Sequence, residues 1–222
     1  MFLIFLDKII VGSHSGILRI YGLKGTKLSS DRLDVDELHF DENDILVEMQ
    51  FPVPILQVQS GILLSASEKR QLLLLFPRKF SVYSVTSKLL KWIQIFDKNS
   101  KPNLKSLICF SLGNKGLSEY GFSYSVTLLY EHELPRSAFC LAIGRFGQVK
   151  GRDFVCVQAL DCCLMFFEQE TASFLRVMSG NILLPTSFAY LPTVDAFLIQ
   201  SADWTLQCYR YQMLAISAQQ DG

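Results

Sequence analysis

Four times along this chain, an apolar run meets a short polar break and then a second apolar run that ends in an aromatic residue. The four copies are Lys8–Tyr21, Gln71–Tyr83, Asp153–Phe167 and Asp195–Tyr209. Two runs of strand length joined by a tight turn predict a β-hairpin. A hairpin that recurs along a chain predicts a repeat fold, in which each unit buries its faces against its neighbours.

The segments between these hairpins also have strand patterns, so we predict an all-β chain. Further strands are expected at Phe2–Leu6, Ile45–Met49, Ile55–Val58, Ser125–Glu131, Phe139–Phe146, Phe174–Met178 and Ser187–Leu191. In the fourth unit, the strands of the hairpin are expected at Ala196–Ser201 and Thr205–Gln212. Lys88–Phe96 is ambiguous, because its apolar spacing suits either an amphipathic helix or an extra strand. The stretch from there to Gly121 is expected to be a long loop.

The length of one repeat narrows the architecture. The last complete repeat, from Phe167 to Tyr209, has the length of one four-stranded propeller blade, ~40–45 residues. The earlier repeats are further apart and require insertions, above all at about residues 86–124. We therefore predict that residues 1–222 form a WD40-like, partial β-propeller of about four blades of four-stranded antiparallel sheets. Because most propellers close with more blades, the ring is expected to be incomplete.

Composition excludes several classes of protein. Of 222 residues, 50% are hydrophobic and 19% are charged, which argues against a disordered chain. The apolar opening run stops at Asp7, far short of the ~20 residues that a membrane-spanning helix needs. It also lacks the basic start and longer apolar stretch of a signal peptide. With 21 basic and 21 acidic residues, the chain has no basic excess to neutralise the phosphates of a nucleic acid.

Charge is uneven along the chain all the same. Asp31–Glu48 is strongly acidic, and Ser87–Gly116 is strongly basic. Either these segments are solvated loops, or they are docking surfaces for charged partners. The pattern leaves both interpretations open.

Cysteine usage indicates a reducing compartment. The chain has six cysteines, no C-x-x-C pair and no secretory signal, which favours an intracellular protein with free thiols. Cys156, Cys163 and Cys208 lie in predicted strands, where they are expected to be buried as small apolar side chains. Their spacing does not suit a zinc site.

Histidines and glycine-rich segments do not form a recognisable catalytic pattern. His14, His39 and His132 are far apart in sequence, and His132 is expected to be a solvated histidine near a strand end. The glycines of Gly144–Gly151 lie between predicted strands without the following helix that a phosphate-binding loop requires, so a β-turn is expected there.

Two carboxylates and two cations complete the set of candidate residues. Asp161 and Asp203 occupy equivalent hairpin turns, so we interpret them as turn residues, although paired carboxylates can also hydrolyse glycosides. We predict no catalytic residue, no cofactor and no metal. Lys150 and Arg152 form an exposed basic spot, either as a solvated turn or as a contact to a neighbouring subunit.

Several runs, taken in order, resemble a known family. They are Asp7–Tyr21, Pro54–Gly61, Arg78–Val85, Leu128–Leu134, Gly144–Glu170 and Ile182–Leu214. They are similar to the amino-terminal β-propeller of the family of Bardet–Biedl syndrome protein nine, also called parathyroid hormone-responsive B1. The ungapped block Gly144–Glu170 is the most specific part of this resemblance.

The resemblance implies a role in the BBSome, a coat-like complex that moves membrane proteins into and out of cilia. It implies a non-enzymatic scaffold whose partners are other BBSome subunits, with an indirect membrane association through the complex and no nucleic acid or small-molecule substrate. It implies a cytoplasmic protein found at the ciliary base and the ciliary membrane. In the family, a seven-bladed propeller precedes an appendage-type domain, a platform and helical segments.

The chain departs from that family in three places. Met1–Leu6 replaces a longer first segment, residues 86–124 are much longer than the short connection expected, and the sequence stops after about half a propeller. A shortened or misjoined gene model would produce these differences, and so would a lineage-specific insertion. Two other functions remain open: an adaptor propeller of another coat or pore complex, and a hydrolytic propeller with carboxylates from several blades.

Overall fold

The structure, a computed structural model, contains four antiparallel sheets, which we call blades 1 to 4 in chain order. It describes residues 2–5, 8–22, 44–65, 67–91, 106–110, 120–169, 171–178, 188–201 and 203–218. Within these ranges the only α-helix follows blade 4, and a 3-10 turn lies inside blade 3.

In the residues that the structure describes, the blades contain sixteen strands. Blade 1 contains β1 (Phe2–Phe5), β2 (Lys8–Gly12), β3 (Ile17–Gly22) and β4 (Ile45–Gln50). Blade 2 contains β5 (Gln57–Gly61), β6 (Gln71–Leu75), β7 (Lys79–Lys91), β8 (Ser106–Phe110) and β9 (Tyr120–Glu133). Blade 3 contains β10 (Ala138–Gly144), β11 (Phe154–Ala159), β12 (Cys163–Glu168) and β13 (Thr171–Val177), with the 3-10 turn Phe146–Gln148. Blade 4 contains β14 (Phe188–Leu191), β15 (Ala196–Gln200) and β16 (Leu206–Arg210), followed by helix α1 (Tyr211–Ala218).

The strand order within and between the blades is that of a propeller. In blades 1, 3 and 4, each strand pairs with the next one along the chain, and blade 2 has the order β5-β6-β7-β9-β8. The first strands of successive blades lie side by side, β1 with β5, β5 with β10, and β10 with β14. Sheets joined through their first strands radiate from a shared axis. The chain is therefore a partial β-propeller, as the sequence predicted.

An apolar core fills each of the three gaps between blades. Between blades 1 and 2 it includes Ile10, Leu18, Ile20, Val47, Val58, Leu72 and Leu74. Between blades 2 and 3 it includes Leu73, Leu75, Phe80, Val82, Val155, Val157, Met165 and Phe167. Between blade 3 and blade 4 with α1 it includes Phe146, Phe154, Phe166, Phe197, Ile199 and Leu214. Burial of such faces stabilises a fold by ~25 cal/mol per Å² of apolar surface, so stacking of the blades holds them together.

The four predicted hairpins are confirmed, and strand β6 illustrates why they could be found. Its leucines alternate between the two neighbouring cores: Leu72 and Leu74 pack toward blade 1, whereas Leu73 and Leu75 pack toward blade 3. A strand covered on both faces has no polar side, which is why its sequence is a continuous apolar run.

The region from 86 to 124 contains more strand than the sequence indicated. Strands β7 and β9 pair from Lys79↔Glu133 to Lys91↔Tyr120, and β8 pairs with the outer edge of β9. Residues 88–91 are therefore extended, so the helical alternative is wrong for them, and the long loop is wrong at 106–110 and 120–121. Pairing over this length satisfies the backbone groups that a loop would leave to solvent. The rest of Lys88–Phe96, residues 92–96, lies outside the described residues.

Two strand boundaries also differ from the prediction. The strand expected at Ile55–Val58 begins only at Gln57, because the backbone N–H of Ile55 bonds to the carbonyl of Ser13 in blade 1. The strand expected to continue to Gln212 ends at Arg210, where α1 begins. Leu214 is buried in the core beside blade 3, so tertiary packing selects the helix here.

Gly16 in the β2–β3 turn has a left-handed backbone with a φ of 83°. A Cβ atom there would lie 2.3 Å from the carbonyl oxygen of Phe51. Gly151 has a similar φ of 84°, but nothing lies within 4 Å of its Cβ position. We expect Gly151→Ala to lower the free energy of unfolding by about 1 kcal/mol for the backbone conformation alone. Gly16→Ala is expected to cost about 2 kcal/mol, since steric crowding adds to that strain.

Urea unfolding of both variants beside the unchanged protein measures the two losses. Equal losses would contradict a tight contact between the β2–β3 turn and the β4–β5 connection.

Candidate functional site

The predicted basic spot lies on the connection between β10 and β11, which runs from Arg145 to Asp153. The 3-10 turn occupies its first half, and Gly147 and Gly151 adopt positive φ values of 70° and 84°. The expected turn is therefore present. Lys150 is exposed, and no carboxylate of the described residues lies within ion-pair distance of its ammonium group.

Arg152 differs from the prediction, because it is not a freely exposed cation. Its guanidinium forms an ion pair with Glu168 of β12 and lies over the ring of Phe154, 5.4 Å from the ring centroid. Only 32% of its side chain is exposed, and its Nε atom is buried without a partner among the described residues. Arg152 thus fastens the connection to the blade, whereas Lys150 is available for contact.

Asp153 ties this connection to blade 2. Its Oδ2 accepts a hydrogen bond from the backbone N–H of Ile62 at 2.8 Å, and its own N–H donates to the carbonyl of Ile62 at 2.7 Å. Its Oδ1 lies 3.8 Å from Nε of Arg145. One aspartate therefore links the start of β11 to the β5–β6 connection of the preceding blade.

Asp195 occupies the equivalent position in blade 4, immediately before β15. Its Oδ1 accepts hydrogen bonds from the backbone N–H of Gly147 at 3.0 Å and from the hydroxyl of Tyr190 at 2.8 Å. Its carbonyl accepts a bond from the N–H of Tyr211 at 2.9 Å, the first residue of α1. Each of these two aspartates thus binds the corresponding connection of the blade before it, which fixes the loops at this end of the propeller relative to one another.

The phenols beside Asp195 remain protonated donors at neutral pH. Burial, followed by the hydrogen bond to Asp195, raises the pKa of Tyr190 above its ordinary value. Burial also raises the pKa of Tyr211, and the nearby charge of Asp195 adds to that effect. A neutral phenol can donate to a carboxylate, so the hydrogen bond from Tyr190 persists over the physiological pH range.

An open groove lies next to this hydrogen-bonded cluster, between the 3-10 turn, the β14–β15 turn and α1. Its volume is about 370 Å³, within the range of sites that take a small ligand or a few side chains. We call it the blade 4 groove. Its lining residues include Gln148, Val194, Asp195, Arg210 and Ile216.

A second polar link joins the inner strands of blades 2 and 3. The side-chain amide of Gln57 on β5 accepts a bond from the N–H of Leu141 at 2.7 Å and donates to the carbonyl of Leu141 at 3.1 Å. The side chain therefore replaces the backbone pairing that two adjacent strands of one sheet would make. Gln57, Asp153 and Asp195 were all missed in the sequence. The only available signal was that Asp153 and Asp195 both precede the first strand of a predicted hairpin.

The histidines provide no catalytic arrangement in the described part of the chain. His132 is half-buried against the rings of Phe80 and Phe167, at centroid distances of 5.1 Å, and its Nε2 lies 3.0 Å from the carbonyl of Gln169. The expectation of a solvated His132 is therefore wrong, because aromatic packing between blades 2 and 3 encloses the ring. His14 is exposed in the β2–β3 turn, and His39 lies outside the described residues.

The two turn aspartates behave as predicted. Asp161 accepts a bond from the N–H of Cys163 at 3.3 Å and forms an ion pair with Arg136. Asp203 accepts a bond from the hydroxyl of Thr205 at 2.8 Å. An aspartate stabilises a turn when its carboxylate accepts a hydrogen bond from the backbone or the side chain of the residue two positions later.

The thiols are mostly buried. Cys156 and Cys163 lie in the cores, as predicted, but Cys208 is exposed. Cys208 is on the edge strand β16, opposite Leu198, on the face that blade 3 does not cover. Burial raises the pKa of the Cys140 and Cys163 thiols to about 11, so both stay protonated and unreactive near neutral pH.

The described ranges contain neither a metal-binding cluster nor a membrane-spanning helix. There, no group of three His, Cys, Asp or Glu side chains could hold a metal ion. Nor does any helix within those ranges have the length and apolar character needed to cross a membrane. The charged segments Asp31–Glu48 and Ser87–Gly116 lie largely outside these ranges, so their docking role stays a prediction.

Similarity to known proteins extends over nearly the whole chain. A family model described as PTHB1 N-terminal matches residues 5–222. The sequence is 38% identical over 215 residues to Protein PTHB1 of Xenopus laevis and 36% identical over 215 residues to Protein PTHB1 of Mus musculus. These alignments cover 97% of this chain but 21% and 20% of the relatives, so the chain spans about a fifth of their length.

One similar solved structure is a crystal structure of BBS1N in complex with ARL6DN, soaked with lead. It overlaps with a TM-score of 0.38 at 11% sequence identity, covering 96% of this chain and 64% of that chain. The fold assignment rests on the strand order and the packing of the blades.

Proposed function

The chain belongs to the PTHB1 N-terminal family, and on that premise we propose that it is a non-enzymatic docking module of the BBSome. The observation that carries this proposal is the family match over residues 5–222. Its partners are other BBSome subunits, and it reaches ciliary membranes only through the complex. It acts in the cytoplasm, at the ciliary base and at the ciliary membrane, in the trafficking of membrane proteins.

The physical route to this function is the presentation of fixed loops. Three apolar cores hold the blades in one relative orientation. Asp153 and Asp195 then fasten the connections between the first and second strands. A rigid surface loses little conformational entropy when a partner binds, which favours a scaffold role.

Within this surface, Lys150 is the contact that we assign to a neighbouring subunit. It is exposed, and it follows a turn that Gly147 and Asp195 fix in place. A fixed cation that no carboxylate of the described residues neutralises is suited to an acidic patch on a partner. Arg152 supports this contact indirectly by holding the same connection against Glu168.

We expect Lys150→Glu to reduce capture of BBSome subunits about tenfold, since charge reversal replaces attraction by repulsion at the contact. The measurement is quantitative pull-down from ciliated cells with the tagged 222-residue chain as bait. Lys69→Glu is the matched control, because Lys69 is an exposed lysine with the same charge change on the β5–β6 connection.

Two results would count against these assignments. Capture of no BBSome subunit by the unchanged chain would defeat the proposed function. Equal capture by the Lys150 and Lys69 variants would retain the function but remove Lys150 from the contact.

A further inference from the structure

We propose that the blade 4 groove binds a short segment of a partner protein in which an aliphatic side chain stands next to a carboxylate. This inference rests on the proposed docking function and names a second contact, with its own chemistry. The groove is open to solvent and has a volume of about 370 Å³, enough for one large side chain and part of the adjoining backbone.

Aliphatic side chains on the groove are more exposed than most others in this protein. Val194 of the β14–β15 turn is 53% exposed and Ile216 of α1 is 52% exposed, and both line the groove. Leu214, two residues before Ile216, is only 3% exposed. The helix therefore presents one apolar residue to the core and another to the groove. Two aliphatic walls facing an open groove favour an aliphatic guest, because its burial removes apolar surface from water.

The charges on the groove favour an acidic neighbour to that guest. Arg210 is its one cation, and no carboxylate of the described residues lies within ion-pair distance of it. Arginine can hold a carboxylate through two parallel hydrogen bonds. Lys150 lies on the connection that supplies Gly147 and Gln148 to the groove, so it adds a second cation that has no ion-pair partner among the described residues.

Asp195 is the one acid among the residues lining the groove, and it is already engaged. Its Oδ1 accepts two hydrogen bonds from the N–H of Gly147 and the hydroxyl of Tyr190. Hydrogen bonds of this kind hold the carboxylate in place and stabilise its negative charge without an ion pair. Among the described residues, no carboxylate therefore neutralises Arg210, which leaves it able to bind a carboxylate of a partner.

The same hydrogen bonds fix the shape of the groove in the absence of a partner. The carbonyl of Asp195 holds the first N–H of α1, and its side chain holds the 3-10 turn, so both walls of the groove are fixed to one residue. A pre-formed site binds more tightly because its side chains and backbone lose little conformational entropy when the partner binds.

A peptide titration tests this inference. The probe is the peptide Gly-Ser-Glu-Leu-Glu-Ser-Gly, added to the isotope-labelled 222-residue chain and followed by backbone amide NMR shifts. We expect shifts at Gly147 and Arg210, and we expect Arg210→Gln and Ile216→Ser each to weaken binding about tenfold. Arg78→Gln, a change of the same kind at an exposed arginine in the β6–β7 turn, is expected to leave affinity unchanged. The amide spectrum of each variant also shows whether it is folded.

Matched peptides separate the two parts of the recognition. Replacing both glutamates of the probe by glutamine, or its leucine by serine, is expected to abolish the shifts. Absence of binding, or equal binding to all three protein variants, would overturn the inference. So would tighter binding of a peptide with lysine in place of glutamate, which would make Asp195 the recognised charge. Binding to phosphatidylserine vesicles instead of the peptide would assign these cations to a membrane surface and overturn the inference as well.

The titration and the pull-down can fail separately. Capture of BBSome subunits without peptide binding would leave the proposed function intact and reject the groove. Peptide binding without capture of any BBSome subunit would retain the groove as an acidic-peptide site and reject the proposed function.

Discussion

Phe146→Ala is expected to lower the free energy of unfolding by about 3–5 kcal/mol, because it empties the centre of an aromatic cluster. Phe146 is 1% exposed. Its ring centroid lies 4.7 to 6.3 Å from those of Tyr190, Phe197, Tyr211, Phe166 and Phe154. These rings come from blade 3, blade 4 and α1, so the loss weakens the attachment of blade 4 as well as the core itself.

Urea unfolding followed by circular dichroism measures this loss. Phe139→Ala is the matched control, since Phe139 lies on β10 of the same blade but is 37% exposed. The control is expected to cost less than about 1 kcal/mol, in keeping with surface substitutions. If both variants unfold at the same urea concentration, the cluster around Phe146 does not hold blade 4 in place.

Gln57→Met is expected to cost about 2–4 kcal/mol, because it leaves two backbone groups of the next blade without partners. The methionine has nearly the volume of glutamine but cannot bond to the N–H and C=O of Leu141, which Gln57 binds at 2.7 and 3.1 Å. Leu141 is 4% exposed and the bonds are part-buried, so their removal carries a desolvation cost for the backbone groups left behind. Blades 2 and 3 therefore lose a polar link while keeping their apolar core.

The same substitution at Gln59 provides the control. Gln59 lies two residues along β5, on the same face, and its side chain bonds to no described residue. Gln59→Met is expected to be neutral to within about 0.5 kcal/mol. Hydrogen exchange gives a local readout: the amide of Leu141 is expected to exchange faster in the Gln57 variant alone. Unchanged exchange at Leu141 would show that this link does not protect the inner strand.

Much of the fold could be predicted because its signals are local. Strand β6 was recognised from five consecutive residues, and the turns at Asp161 and Asp203 from their own residue types. Alternation, apolar runs and turn residues each depend on neighbours in sequence, so a single sequence carries them. The missed helix α1 is the instructive exception. Leu214 is buried in the core, Ile216 lines the groove and Met213 is 61% exposed, so its apolar residues do not mark one side.

The candidate site could be predicted only in part. Lys150 and Arg152 stand two positions apart on one turn, and sequence alone made them equivalent. The structure separates their roles, because Glu168 of another strand neutralises Arg152, whereas Lys150 has no ion-pair partner in the described part of the chain. The partner that decides this comes from β12, sixteen positions further along the chain from Arg152, and no short-range pattern identifies it.

The sequence by itself determined the number of hairpins, the strand type and which strands are covered on both faces. These follow from side-chain period and turn chemistry, which act over a few residues. Only the tertiary structure decided that Gln57 joins two inner strands, that Asp153 and Asp195 fasten successive connections, and that Arg210 faces an open groove. Those contacts depend on the stacking of blades, which brings together atoms from distant parts of the chain.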